Sequence, residues 1–307
     1  MTACTTLVAP TGATGFAYNL GSIGDVNGDG FGDVVVGGYD TPSRTGRALV
    51  FLGSATGITT TAATLSFGSG AEDSSSVFAV ASAGDVNGDG FTDVIVGGDS
   101  RQIDRGRAWL YLGSARGVRD VPATVLTGRG DPEDLFGNAV AGVNDVNGDG
   151  FADVVVGARR YRNYTGEAYV YLGSASGLGT APAPTLPSPG GADATFGSSV
   201  AGGGDVNGDG FADVTVGAIT DSSSVGRAYL FPGGASGVAT TPATTLTGLD
   251  GTSYFGASVA RAGGTARGRI ADTHGAAKRA KAARGDTCCR SKGTFGSSRR
   301  YVRRISH

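Results

Sequence analysis

The 307-residue chain is short of most residue types that enzymes use. It has two His, one Met, one Trp and three Cys. Both His residues (His274 and His307) and every Lys fall after residue 260. Residues 1–260 therefore cannot build a Ser-His-Asp or Cys-His site. Their three Glu (Glu72, Glu133 and Glu167) stand at unrelated places, which leaves Asp as the one abundant acid, and the reading is of a non-enzyme. Cys4 is isolated and Cys288 and Cys289 are adjacent, so neither a disulfide framework nor a zinc spacing is present. No apolar run approaches the ~18 residues of a membrane-spanning helix. The opening MTACTTLVAPTG has no basic region followed by an apolar one and does not read as a secretory signal.

Glycine is what the chain has in excess: 56 residues, well above the ~7% of ordinary soluble proteins. It does not recur every third residue, which excludes collagen. The charge is split. Residues 1–260 carry 12 Arg against 22 Asp and three Glu, a formal −13; residues 261–307 carry 13 Lys and Arg against two Asp, a formal +11. The two parts read as separate regions.

The sequence GDVNGDGF begins at Gly24, Gly84 and Gly204, and NDVNGDGF at Asn144, a 60-residue period. Gly46, Gly106, Gly166 and Gly226 keep the same period, as do Gly53, Gly113, Gly173 and Gly233. An undrifting period implies one structural unit copied four times. Each copy predicts four short strands. One leads into the Asp motif, as at Ala139–Val143. The second is a Val-rich run (Val34–Val36, Val94–Val96, Val154–Val156, Val214–Val216), the third is ALVFLG or its equivalent, and a weak fourth lies near Leu65, Leu126, Leu186 and Leu246. Runs of β-branched residues bounded by Gly suit strands buried on both faces. The predicted fold is all-β: a β-propeller of four-stranded antiparallel blades at about 16–68, 76–128, 136–188 and 196–248. A long twisted sheet or a β-solenoid is the alternative.

Partial blades are expected at both ends, with strands at 5–8 and 255–260. Where a fifth Asp motif should begin, Thr265 stands instead, and the composition turns basic. Residues 261–307 read as a disordered tail, from a shifted reading frame or as a natural arm for anionic partners. No nucleic acid is expected for residues 1–260.

The Asp motif is a metal-loop pattern. Asp25, Asn27, Asp29 and Asp33 place oxygen donors at positions 1, 3, 5 and 9, and the carbonyl of Phe31 serves at position 7. Gly30 permits the sharp turn at position 6, as in the front half of an EF-hand loop. The set recurs as Asp85, Asn87, Asp89, Phe91 and Asp93, as Asp145, Asn147, Asp149, Phe151 and Asp153, and as Asp205, Asn207, Asp209, Phe211 and Asp213. All-oxygen donors at flexible geometry suit Ca²⁺, about one ion per loop and four in all. The EF-hand match stops at position 12, which is Val36, Val96, Val156 or Val216, and the loop enters a strand, not a helix. Plain hairpin turns without an ion are the alternative.

These residues resemble FG-GAP repeat proteins, the propeller repeats of integrin α subunits and their bacterial relatives. Phe136-Gly137 and Phe196-Gly197 precede an Asp loop, Phe255-Gly256 opens the incomplete fifth copy, and VGG or VGA follows each Asp loop where the family has its GAP segment. Phe16-Ala17 and Ser76-Val77 replace Phe-Gly in the first two copies. The resemblance covers roughly residues 5–260. It implies a seven-bladed propeller, calcium between strands 1 and 2, a protein or cell-surface ligand, and an extracellular or cell-surface location. Four complete blades fall short of seven.

Antiparallel order puts the Asp loops at one end of each blade and the loops between strands 2 and 3 at the other. One such loop, Arg159-Arg160-Tyr161-Arg162-Asn163-Tyr164, concentrates residue types enriched at binding hot spots, with a solvated loop as the alternative. Arg159, Arg160, Tyr161, Arg162 and Tyr164 are the candidate ligand contacts. Asn163-Tyr164-Thr165 is also a glycosylation sequon. Arg129-Gly130-Asp131 and Arg284-Gly285-Asp286 read as coincidence in so Gly-rich a chain. The leading function is a calcium-binding, integrin-α-like adhesion or ligand-binding module. A non-catalytic propeller of a larger secreted enzyme and a glycan-binding lectin are the alternatives; the single Trp109 sits inside a predicted strand.

Overall fold

Four strands form in each 60-residue repeat. The first repeat has β1 (Asn19–Gly24), β2 (Asp33–Tyr39), β3 (Gly46–Phe51) and β4 (Ala62–Leu65); the second has β5 (Ser75–Gly84), β6 (Asp93–Ser100), β7 (Arg107–Tyr111) and β8 (Thr124–Thr127). The third has β9 (Phe136–Asn144), β10 (Asp153–Ala158), β11 (Glu167–Tyr171) and β12 (Thr185–Pro187); the fourth has β13 (Phe196–Gly204), β14 (Asp213–Ala218), β15 (Arg227–Phe231) and β16 (Thr244–Thr247). Each repeat makes its own antiparallel sheet with strands in sequence order. This is a computed structural model. It describes residues 5–9, 15–39, 46–67, 75–100, 106–129, 134–249 and 254–261, with the backbone alone at 75, 76, 78, 99 and 100. These residues belong to one unit, Met1–Thr273.

The sheets stack face on face, β1 against β5, β5 against β9 and β9 against β13. That arrangement is consistent with propeller-like blades. Among the described residues, the first and fourth sheets share no comparable contact. Stacking explains why the middle of the second strand carries Val or Ile at successive positions, Thr215 excepted. Alternate side chains of a strand point to opposite faces. Val94 and Val96 point back into one core with Val35, Val50 and Leu65 of the first sheet, while Ile95 points forward into the next core with Val154, Val156 and Tyr169. Val155 and Val170 likewise meet Val214, Val216 and Tyr229. Burying one such aromatic or branched side chain is worth about 1.5–3 kcal/mol.

The Phe-Gly pairs fit this stacking. Phe136 lies edge-on to Tyr169 at 5.4 Å and Phe196 to Tyr229 at 5.8 Å. The glycines allow the backbones to touch: a Cβ on Gly97, Gly157 or Gly217 would collide with the carbonyl oxygen of Gly137, Gly197 or Gly256. Only glycine at both places permits so close an approach.

Two expectations at the ends are corrected. Residues 5–9 form no strand, although Leu7 packs against Val36, Leu49 and Phe51 of the first sheet. Residues 255–260 form no strand either; Phe255 makes one isolated bridge to Gly226. A strand needs a continuous hydrogen-bonded ladder; among the described residues 5–9 pair with no strand, and Phe255 makes a single bridge, its amide donating to the Val225 carbonyl, that does not continue along 256–260. The tail at 262–307, the place of the missing fifth Asp motif, and both Arg-Gly-Asp tripeptides beyond Arg129 lie outside the described residues.

Candidate functional site

The four Asp loops join strands 1 and 2 of their sheets, and all four close in the same way. In the third, Asp145 Oδ1 accepts the amides of Gly148 at 2.5 Å and Asp149 at 3.1 Å, and its Oδ2 accepts that of Gly150 at 2.8 Å. Asn147 donates from Nδ2 to Asp149 Oδ2 at 2.8 Å, and Asp149 Oδ1 accepts the Phe151 amide at 3.0 Å. Gly148 and Gly150 hold φ of 79° and 90°, which lets successive amides turn toward the first carboxylate. In the first loop these amide bonds, that from Gly30 foremost, hold the Asp25 carboxyl below its ordinary range.

Position 9 is different. Asp33, Asp93, Asp153 and Asp213 are buried. Asp153 accepts the Val146 amide at 2.8 Å and the Gly173 amide at 2.9 Å, so one carboxylate ties the Asp loop to the start of the loop after strand 3. Burial pushes the carboxyls of Asp93 and Asp153 up to about 6. Their two amide partners oppose this, and the nearby Asp85 and Asp89, or Asp145 and Asp149, add to it. Asp213 is raised for the same reasons.

The donor chemistry fits a hard divalent cation. Each loop offers three carboxylates, one amide oxygen and a carbonyl; at Asp93, Asp153 and Asp213 burial first and the acidic neighbours second disfavour the ionised form, a cost that a cation offsets. In this structure the carboxylates face loop amides, and among the described residues no three acidic, His or Cys side chains converge into a preformed metal group.

Sequence reading used only the carbonyl of the position-7 Phe. The ring has a role of its own, linking consecutive loops. A Cβ on Gly28 would lie 3.0 Å from Cε1 of Phe91, and one on Gly88 or Gly148 would lie 2.9 or 2.7 Å from that of Phe151 or Phe211. Backbone bonds reinforce the series: the Thr92, Ala152 and Ala212 amides donate to the carbonyls of Asp25, Asp85 and Asp145. The signal was present, because Gly at position 4 and Phe at position 7 recur in all four copies.

The opposite rim carries the turns between strands 2 and 3. The candidate ligand segment is a tight left-handed turn: Arg162, Asn163 and Tyr164 have φ of 47°, 54° and 65°. Arg160 and Arg162 lie over the rings of Tyr164 and Tyr161 at 5.2 and 5.4 Å, so the two guanidinium groups are held by the turn's own tyrosines. Arg162, Asn163 and Tyr164 are exposed, whereas Arg159, Arg160 and Tyr161 are half-buried. The fourth sheet repeats the turn at Ser222–Ser224. Beneath it the buried Asp221 pairs with Arg227 at 3.4 Å and accepts a hydrogen bond from the Tyr229 hydroxyl. Sequence reading did not single out Asp221, since its partners lie on the neighbouring strand.

Residues 136–171 and 196–231 match the FG-GAP repeat, and residues 25–96 match the FG-GAP-like repeat. The chain is 35% identical over 148 residues to integrin alpha-6 of Gallus gallus, covering 47% of this chain and 13% of that protein. It is 30% identical over 196 residues to integrin alpha-4 of Xenopus laevis, covering 62% and 18%. It is 34% identical over 145 residues to integrin alpha-PS3 of Drosophila melanogaster, covering 44% and 13%. The chain thus spans under a fifth of the length of these relatives. The Phe-Gly contacts, the four Asp loops and these matches agree: the chain carries FG-GAP repeats similar to those of integrin α subunits.

Proposed function

We propose that the chain is a non-catalytic, calcium-binding propeller module whose turns, on the rim opposite the metal loops, contact a protein or cell-surface ligand outside the cell. The observation that supports it best is the fourfold recurrence of one acidic loop, each with its ninth-position carboxylate buried beside other acids. Asp25, Asn27, Asp29, the Phe31 carbonyl and Asp33 would hold one Ca²⁺, with the three equivalent sets holding the others. The ion would neutralise the loop. The protein residues would fix the loop to the strand edge through the position-9 carboxylate, whose amide bonds already do so. Mg²⁺ suits the set less well, because it demands near-octahedral geometry and keeps its waters. The absence of His and Lys from residues 1–260 supports a binding role over catalysis. On the opposite rim, Arg159, Arg160, Tyr161, Arg162 and Tyr164 form the ligand-contact candidate.

A thermal melt of the chain in EDTA, Mg²⁺ or Ca²⁺ tests the metal reading. At ten times its dissociation constant, each site adds about 1.4 kcal/mol, so four add about 5–6 kcal/mol. That is comparable with the ~5–15 kcal/mol stability of a whole domain. A large rise in Tm specific to Ca²⁺ is expected. A cooperative melt indifferent to calcium would overturn the metal assignment and leave four polar turns.

A further inference from the structure

We propose that the cavity on this rim between the third and fourth sheets is a binding site for a neutral saccharide, a proposal that rests on the reading of the rim as ligand-binding. The cavity has a volume of about 720 Å³ and lies between Tyr164, the segment 191–195 and the turn at 220–224. Its size falls within the ~300–1,000 Å³ of small-molecule sites and admits a mono- or disaccharide.

The floor is already committed to the fold. Thr195 and Thr220 pair through their hydroxyls at 2.9 Å, and Thr220 donates to the Asp193 carbonyl. Asp221 is held by Arg227 and Tyr229. The Thr220 carbonyl accepts the Ser224 amide at 3.0 Å and the Asp221 carbonyl accepts the Gly226 amide at 3.0 Å, which fixes the Ser222–Ser224 turn. The walls are free. Among the described residues, the exposed Asp193 carboxylate and the hydroxyls of Ser222, Ser223 and Ser224 have no hydrogen-bond partner, and the Tyr164 side chain is 43% exposed.

A ligand therefore meets one carboxylate, three neutral hydroxyls and an aromatic ring on a rigid floor. A carboxylate accepts hydrogen bonds from two neighbouring hydroxyls of one sugar. Serine hydroxyls both donate and accept, which matches the remaining sugar oxygens. The ring covers an apolar C–H face. A cationic ligand fits less well, because the Arg160 guanidinium already lies over Tyr164 and repels a second positive charge. An anionic ligand meets Asp193 at the wall.

The test is an immobilised panel of neutral mono- and disaccharides (glucose, galactose, mannose and their disaccharides) probed with the full chain in Ca²⁺, followed by titration calorimetry on the best binder. Binding at or tighter than ~1 mM is expected. Asp193→Ala and Tyr164→Ala should each weaken it by about tenfold or more, equivalent to ~1.4 kcal/mol. The Asp193 side chain is exposed, so Asp193→Ala should leave Tm nearly unchanged; Tyr164→Ala also removes the ring beneath Arg160, and a drop in its Tm would move the test to Asp193→Ala with Ser223→Ala. Three results overturn the site: no neutral sugar bound at about 10 mM, binding that survives Asp193→Ala, or preference for a basic peptide over every sugar. Failure here with a protein ligand still bound through the Arg159–Tyr164 turn would remove the saccharide and keep the module's proposed role, whereas loss of that protein contact as well would count against both.

Discussion

Thr215 carries a buried hydroxyl with no hydrogen-bond partner among the described residues, at the place where the other repeats have Val35, Ile95 and Val155. A buried polar group without a partner costs roughly 1–3 kcal/mol. Valine has nearly the same shape and no such group. Thr215→Val is expected to raise stability by about 1 kcal/mol, read as a higher urea midpoint at unchanged slope. A midpoint that stays or falls would mean that the hydroxyl has a partner. The position-9 aspartates show the reverse situation, since each is buried but accepts two amides. A substitution such as Asp153→Ala would leave both amides without a partner.

At the scale of the loop, the four Asp motifs are not independent turns. The Phe211 ring lies against Gly148, while Gly208, the equivalent residue of the last loop, has open space around the position of a Cβ. Both glycines have φ near 78–79°. Alanine at either place costs about 1–2 kcal/mol for the left-handed backbone. At Gly148 the new methyl group also meets the ring, and overpacking adds about 1–3 kcal/mol. Gly148→Ala should therefore lose at least roughly 1 kcal/mol more than Gly208→Ala by urea unfolding. Equal losses would show that the ring contact contributes nothing. The Phe31 ring, which is 40% exposed, has no preceding loop among the described residues to cover it.

For the whole molecule, the buried carboxylates set a pH dependence that metal should reverse. Asp93 and Asp153 are pushed up to about 6, and Glu167 and Asp213 are raised in the same sense, chiefly by burial. Unfolded carboxyls titrate near ~3.9–4.3. Between these values the folded chain holds more protons than the unfolded one, so rising pH lowers stability. Asp25, whose carboxyl is lowered, acts below this window. In EDTA, Tm is expected to fall between about pH 4.5 and 6.5. In saturating Ca²⁺ the fall should vanish or reverse, because the ion binds the ionised form. A Tm that rises with pH in EDTA would contradict the buried, raised carboxylates.

Much of this architecture is legible in the sequence. The period, the four strands per repeat, the Asp loops and the Phe-Gly pairs are local patterns repeated without drift, and each strand's apolar run follows from the two-residue alternation of side chains. Other features depended on which elements touch. Stacking sends Val94 and Val96 to one core and Ile95 to the next. It brings Phe91, Phe151 and Phe211 onto the glycines of the preceding loops, residues about a repeat apart in the chain. Residues 5–8 have strand-like composition yet make no strand, because a strand forms only with a hydrogen-bonded neighbour and composition does not supply one. The turn at Arg159–Tyr164 was visible as an unusual cluster, but its left-handed backbone and the stacking of its arginines on its tyrosines were not. The cavity beside it brings together three segments separated by tens of residues. The sequence by itself determined what repeats and which donors each repeat carries, because both are encoded within a few consecutive residues. Only the tertiary structure decided which of those groups are satisfied and which face outward, because each group's partner is supplied by a neighbouring strand or sheet.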